Sequence, residues 1–493
     1  MQYLILALAI GCGGKDTGAT LPGDADADTD ADADTDTDTD TDVDTDTDTD
    51  TDTDTDTAPG FTTITAASCE VRSDNALRLD CSVSRQEPGP VELVVEDRVF
   101  RSDDDATDHT LIVWGLRGDT TYGFSARVPG EGLTYDGTLQ TGTVPDEATM
   151  VTSVVGTESS VEGLLVNSCS SGSALILDAE GYVVWYEQLD EWGLVNALTW
   201  TEDGTVVASA GSDAVIEIDP AQGVIAAFQA SDVGLSGLLH HDIYKRNGLY
   251  YVLYGFEGDG WVLDGVYIFD ESGSLIGELD FRQWFDLAAL GEPSPGGDGD
   301  GYWDWAFPWW VPDATHANSV FVSEDWELIL SAKDRDAVVA VDGDPESATF
   351  GQSLWVIDGG DDPSIHGTLE LQSSITSELT LDAQHCVQRA PSGQVTVFDN
   401  RQRGSFRDAR AIWLDLDTPG TAEIVRELDI GEMCHEQSAL FELEDGTALA
   451  TCSAIAEVWA YAPGASDPHW ELSIECIHAA RLMARGTPVS LSP

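Results

Sequence analysis

The chain has 493 residues, and its composition excludes two classes of protein at the outset. A mean hydropathy of -0.14 is too low for a protein with many membrane spans. A formal charge of -70, from 91 acidic and 21 basic residues, repels nucleic acid, so we expect no nucleic-acid partner. Hydrophobic residues make up 42% of the chain and 15 residues are tryptophan, which is enough for a large buried core.

The first segment, residues 1–12, resembles the signal of a bacterial lipoprotein. Residues 3–10 are apolar but too few to span a bilayer, which takes about 20 residues. Gly11 and Cys12 follow, and in such signals the cysteine is acylated after cleavage. The resemblance implies an exported protein anchored through Cys12 to a membrane of the bacterial cell envelope, in the periplasm or at the cell surface. An accidental apolar N-terminus is the alternative, because no Lys or Arg precedes the apolar residues.

Residues 13–60 form an acidic linker in which every even position from 24 to 56 is Asp. Residues 17–57 contain no aromatic side chain and no basic charge. Such a segment cannot bury apolar area and its charges repel one another, which predicts a disordered tether. A Ca²⁺-binding role is the alternative, although the repeat lacks the glycine turn and spaced ligands of an EF-hand loop.

The cysteines that follow the tether favour disulfides over metal sites. None belongs to a C-x-x-C pair, so zinc and thioredoxin-type chemistry are unsupported and no metal site is predicted from them. Cys69 and Cys81 flank a predicted pair of short strands and are the candidate for a local disulfide in an oxidising compartment. Their odd number leaves at least one thiol outside a disulfide, for which Cys386 is the candidate. The pairing of the others stays open: Cys169, Cys434, Cys452 and Cys476.

Residues 61–148 predict a small β-sandwich. Short alternating strands are expected at residues 77–83, 91–95, 110–114, 121–128 and 134–140, separated by Gly, Pro and Asp. The segment at residues 115–124 resembles the loop and penultimate strand of a fibronectin type III domain. We expect this domain to act as a spacer or a packing partner rather than in chemistry.

Residues 149–493 predict a β-propeller. A unit of strand, tight turn, strand and third strand ending in Ile/Val-Asp recurs, starting near residues 161, 197, 242, 319, 383 and 438. Six antiparallel units with few helical stretches are typical of six blades. Insertions at residues 281–312 and 358–380 interrupt the spacing, and long segments of this kind often build a binding face. An acidic turn at residues 297–301 is a candidate structural Ca²⁺ site, although a plain turn is the favoured interpretation.

Three histidines share one register in the repeat. His241, His316 and His385 each lie seven to nine residues before the tight turn of their unit. The first strand of a blade lines the central channel, so we expect the three rings to converge. His435 lies eleven residues before its turn and is left out of the cluster. Chance placement or core hydrogen bonding is the alternative.

Positive charge is concentrated on the blade that begins with His385. Four arginines, Arg401, Arg403, Arg407 and Arg410, fall within ten residues of a chain that has 21 basic residues in all. Lys333 and Arg335 stand at the comparable end of the His316 blade. Together these cations predict a local anion site suited to sulfate or phosphate. The alternative is that the arginines form ion pairs within the blade, with Asp399, Asp408 and Asp415.

Several segments resemble the bacterial arylsulfotransferase family over about residues 161–472. They are DATHANSV at residues 313–320, ILSAKDRDAVVAVD at 329–342, QH at 384–385, VFDN at 397–400 and ARAIWLDLD at 409–417. Members of that family are six-bladed propellers, often periplasmic, behind a small β-rich domain. The resemblance implies transfer of a sulfuryl group from an aryl sulfate donor to a phenolic acceptor without a nucleotide sulfate.

The resemblance also assigns roles by motif position. His385 corresponds to the histidine that is transiently sulfated in the family, and His316 and His241 correspond to two histidines that help to bind the sulfuryl oxygens. Lys333 completes the catalytic set. The candidate substrate-binding residues are Arg335, Asn318, Arg410 and His240.

The chain departs from the family pattern at two positions. Lys333 stands where the family has a sulfate-binding arginine, unless Arg335 takes that place, and lysine keeps the charge but loses the two-pronged geometry. Cys386 stands where Asp commonly follows the nucleophile, which puts retention of the reaction in question.

The chemistry of these histidines and of Lys333 also favours sulfuryl transfer. Sulfuryl transfer needs a nucleophile that is neutral near pH 7, and imidazole loses its proton near about pH 6.5. It also needs donors around three equatorial oxygens, which His241, His316 and Lys333 can supply. Four tryptophans of the first insertion can hold the phenol ring or pack between blades: Trp303, Trp305, Trp309 and Trp310.

The leading hypothesis is therefore an arylsulfate sulfotransferase that works by a ping-pong route through sulfo-His385 and needs no cofactor. The rival is a catalytically inactive propeller that binds a ligand or a protein. A quinone-dependent dehydrogenase is a weaker third hypothesis, because the tryptophans do not recur at a fixed place in every blade and no vicinal cysteine pair exists.

Overall fold

The structure is a computed structural model that describes residues 63–157, 160–167, 172–292, 303, 306–308, 310–360, 362–402, 407–434, 437–475 and 486–491. All of these belong to one compact unit that begins at Gly60. The predicted signal with Cys12, the tether and the acidic turn at residues 297–301 lie outside the described residues. So do Cys169, Trp305, Trp309, Arg403, His435 and Cys476.

The first seven strands form a β-sandwich. They are β1 (Ile64–Val71), β2 (Leu79–Arg85), β3 (Val91–Val95), β4 (Arg98–Ser102), β5 (Asp108–Val113), β6 (Thr121–Arg127) and β7 (Thr134–Gln140). One sheet has the order β1-β2-β5 and the other β4-β3-β6-β7. Buried and exposed residues alternate along β2, β3 and β6, because successive side chains of a strand point to opposite faces. Cys69 and Cys81 form a disulfide between directly paired positions of β1 and β2.

The remaining strands form six sheets that are the blades of a propeller. They are β8 (Val151–Gly156), β9 (Gly163–Asn167), β10 (Ser173–Asp178), β11 (Val183–Gln188), β12 (Val195–Trp200), β13 (Val206–Ala210), β14 (Ala214–Asp219), β15 (Gly223–Gln229), β16 (Leu238–Arg246), β17 (Leu249–Gly258), β18 (Trp261–Asp270), β19 (Leu275–Asp280), β20 (Ala317–Val322), β21 (Glu327–Ala332), β22 (Ala337–Asp342), β23 (Ser353–Asp358), β24 (Glu370–Ser373), β25 (His385–Arg389), β26 (Val395–Asp399), β27 (Arg410–Asp415), β28 (Thr421–Asp429), β29 (Ala439–Glu442), β30 (Ala448–Cys452), β31 (Glu457–Tyr461), β32 (Trp470–Glu475) and β33 (Thr487–Val489). Short 3-10 helices lie at Asp146–Ala148, Asp190–Trp192, Ala230–Val233, Phe281–Gln283, Leu287–Leu290 and Lys333–Arg335.

Strands from both ends of the propeller close the ring. Blade 1 has the order β33-β9-β10-β11, so the last strand of the chain is the innermost strand of the first blade. Blade 6 has the order β29-β30-β31-β32-β8, so the first propeller strand is its outermost. Blades 2, 3 and 4 are β12–β15, β16–β19 and β20–β23. Neither end of the ring can separate without breaking a sheet.

Blade 5 carries a fifth strand that comes from the second insertion. Its order is β24-β28-β27-β26-β25, and β24 pairs in parallel with β28. A second disulfide, Cys434–Cys452, joins the segment before blade 6 to β30, and Cys386 is a buried thiol on β25. The sequence left the pairing of Cys434 and Cys452 open.

The sandwich packs on blades 1 and 2 through buried polar contacts. Arg78 is 2% exposed, donates from Nε to the Pro220 carbonyl at 2.7 Å and pairs with Glu187 at 2.6 Å. The Asn75 amide donates to the Tyr186 carbonyl at 2.8 Å. One apolar core runs through both domains, which fixes the sandwich against the propeller.

The predicted fold class is confirmed: the chain is all-β, with a six-bladed β-propeller behind a β-sandwich. Among the described residues, no helix has the length and apolar character needed to cross a membrane. The innermost strands surround a central channel, and one cavity of about 210 Å³ in it is lined by all six blades. Each blade contributes at least one side chain: Thr487, Leu198, Asp242, Val320, Val387 and Phe441.

Candidate active site

The three histidines predicted to converge lie where the innermost strands of blades 3, 4 and 5 begin. Each strand has an irregular register at this point, between Leu239 and Ile243 in β16, after Ala317 in β20 and after His385 in β25. His241 and His316 have left-handed backbones, with φ values of 51° and 47°. Left-handed non-glycine residues are strained and cluster at functional sites, and a β-bulge re-aims a side chain. These irregularities turn the rings away from the regular strand directions.

The rings of His241 and His316 meet, with centroids 4.9 Å apart. His385 and Lys333 lie close enough for their charges to act on His241. The three histidines are almost wholly buried, at 8%, 3% and 2% exposure, and Lys333 is 6% exposed. The structure therefore brings together all four residues of the predicted catalytic set, in a place shielded from bulk water.

Each of the three rings is held through its Nδ1 atom, by a different kind of partner. His385 Nδ1 lies 2.8 Å from Asn400 Oδ1 and His316 Nδ1 lies 2.9 Å from Asp313 Oδ2. His241 Nδ1 lies 2.7 Å from the Nδ1 atom of another histidine, His240. Because the two nitrogens of an imidazole lie on opposite edges of the ring, each contact leaves the Nε2 edge for chemistry.

The contact to His385 defines its protonation. The Asn400 amide nitrogen donates to the Cys434 carbonyl at 2.6 Å, which turns the Asn400 oxygen towards the ring. The Ala383 carbonyl lies 3.1 Å from the same Nδ1. Both neighbours are acceptors, so Nδ1 carries the hydrogen and Nε2 carries the lone pair.

The His241 ring stays neutral at ordinary pH. Burial lowers the pKa of His241 well below its usual 6.5, and the neighbouring side chains of His316, His240, His385 and Lys333 lower it further. A site that concentrates cations in a molecule of charge -70 is suited to an anionic substrate.

The three described arginines of the predicted cluster are engaged in ion pairs with acidic residues. Arg410 is fully buried inside blade 5, where it pairs with Asp399 at 2.8 Å and donates to the Thr380 carbonyl at 2.7 Å. Arg401 and Arg407 pair with Glu378 at 3.0 and 2.6 Å. The prediction that Arg410 binds substrate was wrong, because a buried guanidinium needs acceptors on every edge and finds them within the blade.

Three other predicted substrate ligands have structural partners. Arg335, the alternative to Lys333 for the place of the family's sulfate-binding arginine, forms an ion pair with Asp362 at 3.0 Å. The Asn318 amide donates to the Gln384 carbonyl at 2.8 Å and joins blade 4 to blade 5. Asn318 also lines, with His241, a small cavity of about 10 Å³ beside the histidines. His240 is 1% exposed and lies behind His241, in a supporting position.

Trp303, from the first insertion, packs against His240. It is 5% exposed, and its ring centroid lies 4.7 Å from that of His240. Gly255 makes room for it, because a Cβ there would lie 2.4 Å from the indole ring. Trp303 therefore has the packing role that was the alternative to holding a phenol ring. Trp310, in contrast, is 52% exposed.

Among the described residues, one group of three side chains brings metal-ligating atoms together: Asp313, His316 and Asp334. Asp313 and His316 already contact each other directly at 2.9 Å. Asp313 also accepts from the backbone N–H of His316 at 3.1 Å, so it caps the turn that carries the histidine. These contacts indicate that the Asp313 carboxylate supports His316.

Sequence reasoning missed the residues that hold the histidines. Asn400 and Asp313 stood inside the family motifs but had no assigned role, and Asp264 was not considered. The signal for Asp264 was an acid in the interior of the apolar strand β18, WVLDGVYIFD, where a fully buried carboxylate needs a specific partner.

Comparison of the chain with known proteins finds similar solved structures and a matching family model. Among solved structures, it is similar to a protein of unknown function from Bacteroides caccae, at 12% identity over 67% of this chain and 99% of that chain, with a TM-score of 0.44. It is also similar to virginiamycin B lyase from Staphylococcus aureus, at 8% identity over 66% and 99%, with a TM-score of 0.36. For the WD40 β-propeller domain of Doa1 the identity is 11% over 81% and 96%, with a TM-score of 0.36.

No curated protein matches the chain. The family model described as Arylsulfotransferase (ASST) matches residues 143–415, which is more than half of the chain and includes His241, His316, Lys333 and His385. The chain therefore belongs to the arylsulfotransferase family, a membership that supports aryl sulfotransferase activity.

Proposed function

We propose that the chain transfers a sulfuryl group from an aryl sulfate to a phenol by a ping-pong route, with His385 as the nucleophile. The observation that carries the proposal is the neutral amide behind His385, 2.8 Å from its Nδ1. An amide acceptor fixes the hydrogen on Nδ1 without favouring the charged ring, so Nε2 keeps its lone pair near neutral pH.

The neighbouring side chains of His316 and Lys333 are suited to binding the sulfuryl oxygens rather than to attacking the sulfur. His316 is backed by the carboxylate of Asp313, and a carboxylate partner stabilises a positively charged imidazole. Lys333 adds a second buried positive charge. His316 and Lys333 therefore attract the sulfuryl oxygens, while His385 attacks the sulfur.

The reaction divides into two balanced half-reactions. In the first, the His385 Nε2 lone pair forms a bond to sulfur, and the bond from sulfur to the donor phenol oxygen breaks. In the second, the acceptor phenol oxygen attacks the same sulfur, the S–N bond breaks, and the phenol proton is released to a base. His385 regains its lone pair, and no cofactor is consumed.

The direct test is the intact mass of the protein after brief exposure to p-nitrophenyl sulfate. We expect the gain of one SO₃ group, which peptide mapping assigns to His385 and which a phenol acceptor removes. His385→Asn should gain nothing, whereas His109→Asn, a matched change in the sandwich, should behave as wild type.

Two results would contradict the proposal. One is SO₃ on a residue other than His385. The other is tight, stoichiometric binding of the aryl sulfate with no nitrophenol released, which favours the inactive ligand-binding propeller motivated by Lys333 and Cys386. In the structure, Cys386 Sγ lies 3.9 Å from the Leu440 carbonyl and lines the cavity surrounded by all six blades.

We also propose that the protein is exported and anchored to the cell envelope through Cys12. Two disulfides, Cys69–Cys81 and Cys434–Cys452, support this location, because disulfides persist in oxidising compartments. Expression of the full chain in a bacterial host followed by metabolic labelling with a fatty acid tests the anchor. Cys12→Ser should abolish the label and release the protein from membranes.

A further inference from the structure

A second histidine and a buried carboxylate stand in line behind His241. His240 Nδ1 lies 2.7 Å from His241 Nδ1, and His240 Nε2 lies 3.2 Å from Asp264 Oδ1. Asp264 is fully buried on β18 and His240 is 1% exposed on β16. The indole of Trp303 covers the His240 ring. The line Asp264–His240–His241 thus runs from the interior of blade 3 to the reacting centre.

The neighbours of Asp264 fix the first proton of this line. Its second oxygen accepts the hydroxyl hydrogen of Thr315 and the backbone N–H of Ala317, the latter at 2.7 Å. Three groups therefore face the carboxylate, and two of them can only donate in this geometry. Asp264 is best satisfied as an ionised acceptor, and its charge, 3.2 Å from His240 Nε2, favours a hydrogen on that nitrogen.

The contact between the two histidines requires one shared proton. Two Nδ1 atoms 2.7 Å apart repel unless a hydrogen lies between them. When that hydrogen belongs to His240, the His240 ring is a cation beside Asp264, and neutral His241 carries its hydrogen on Nε2 as a donor. When it belongs to His241, His240 is neutral and His241 Nε2 holds a lone pair as an acceptor.

We propose that Asp264 and His240 form a buried positioning pair that selects between these two states of His241 and relays a proton through it during each half-reaction. This inference rests on the proposed function and adds to it the source and the destination of the phenol proton.

The steps balance as follows. When the S–O bond of the donor breaks, His241 Nε2–H gives its proton to the departing phenolate oxygen. The shared hydrogen moves from His240 Nδ1 to His241 Nδ1, and His240 becomes neutral. When the acceptor attacks sulfo-His385, its hydroxyl proton goes to His241 Nε2, the shared hydrogen returns to His240, and the cation beside Asp264 is restored.

The surroundings favour a positive charge on His240 over one on His241. His241 faces His316, His385 and Lys333, and burial together with these neighbours lowers its pKa. His240 instead faces the Asp264 carboxylate and the Trp303 ring. The charge that the relay stores is therefore held away from the other cations, next to its counter-ion.

Two donors that differ in leaving group test the relay. Phenolate is a strong base, with a conjugate-acid pKa of about 10, and needs a proton as it leaves, whereas p-nitrophenolate leaves readily without one. We expect Asp264→Asn to slow the first half-reaction of phenyl sulfate about 100-fold, and that of p-nitrophenyl sulfate by less than about threefold. His240→Gln, which can hydrogen-bond to His241 but cannot carry a proton onward, should show the same split.

Glu217→Gln is the matched control, because Glu217 is another buried carboxylate, on β14 of blade 2. It is hydrogen-bonded to Thr205 and to Lys245. The substitution should affect both donors equally. An equal loss for both donors in Asp264→Asn would show that the pair is only structural and would overturn the relay.

The arrangement of protons is measured independently of activity. In full-length protein with ¹⁵N-labelled histidine, a coupling across the N–H···N bond should join His240 to His241, and it should disappear in His240→Gln. Its absence in wild type would refute the shared proton. Failure of the proposed function has a different signature, since wild type would then gain no SO₃ from either donor.

Discussion

Replacing Asn400 with Asp tests whether a neutral partner keeps His385 nucleophilic. The substitution keeps the shape of the side chain but places a negative charge at the position that lies 2.8 Å from His385 Nδ1. An opposite charge at hydrogen-bond distance raises the pKa of a histidine by about 1–3 units, because it favours the charged form. A cationic His385 has no lone pair on Nε2 and cannot attack sulfur.

We therefore expect the acid limb of the pH–rate profile of Asn400→Asp to move upwards by about 1–3 pH units. At neutral pH, kcat/KM for p-nitrophenyl sulfate should fall about 10–100-fold and should largely recover by about pH 9. The assay is nitrophenol release, measured across the pH range with a fixed concentration of phenol acceptor.

The variant also loses the hydrogen bond from Asn400 to the Cys434 carbonyl, which costs about 1–3 kcal/mol of stability. Asn75→Asp is the matched control, because that buried amide also donates to a backbone carbonyl, at 2.8 Å, but lies at the sandwich junction. It should lower stability to a similar extent and leave the pH–rate profile unchanged. An unshifted acid limb in Asn400→Asp would refute the role given to the amide.

Three further predictions follow from the same structure. Lys333→Met should lower kcat/KM for an aryl sulfate about 10–100-fold, because a charge-assisted contact contributes about 1.5–3 kcal/mol, whereas Lys333→Arg should retain most of the activity in the same assay. Opening the Cys434–Cys452 disulfide with Cys452→Ser should lower the free energy of unfolding in urea by about 3 kcal/mol, since the bond closes a loop with a sequence separation of 18. His241 resists protonation in the folded state but takes up a proton near pH 6.5 when unfolded, so its contribution to stability is present above pH 6.5 and is lost as the pH falls below that value. Urea midpoints measured between about pH 7.5 and pH 5 should therefore fall less steeply in His241→Gln than in wild type.

The architecture and the convergence of the histidines could be predicted because both depend on local repeats. A hairpin turn at fixed spacing marks each blade, and the ring closure places the first strands around one channel. His241, His316 and His385 share a distance to that turn, so their approach required no knowledge of distant contacts. The fifth strand of blade 5 was not predictable in this way, because β24 pairs with β28 across about 50 residues without a repeat signal.

The charged residues could not be assigned from the sequence, because their partners are remote along the chain. The arginines of blade 5 form a dense cluster in sequence, but Glu378 and Glu427 reach them from an insertion and from another strand. Asp264 is 24 positions from His240 and lies on a different strand. Charge density along the sequence therefore marked the arginines of blade 5, but it could not show that Arg401, Arg407 and Arg410 form ion pairs with acidic residues of the protein.

The way in which the histidines are held explains how three identical side chains can perform different tasks. All three are almost wholly buried, so burial alone does not distinguish a nucleophile from a donor. The partner of Nδ1 does, because an amide behind His385 leaves the ring neutral whereas a carboxylate behind His316 favours the cation. His240 behind His241 allows both states, since it can either give or accept the shared proton. In the proposed reaction, the partner at Nδ1 therefore determines which histidine attacks the sulfur and which ones stabilise its oxygens.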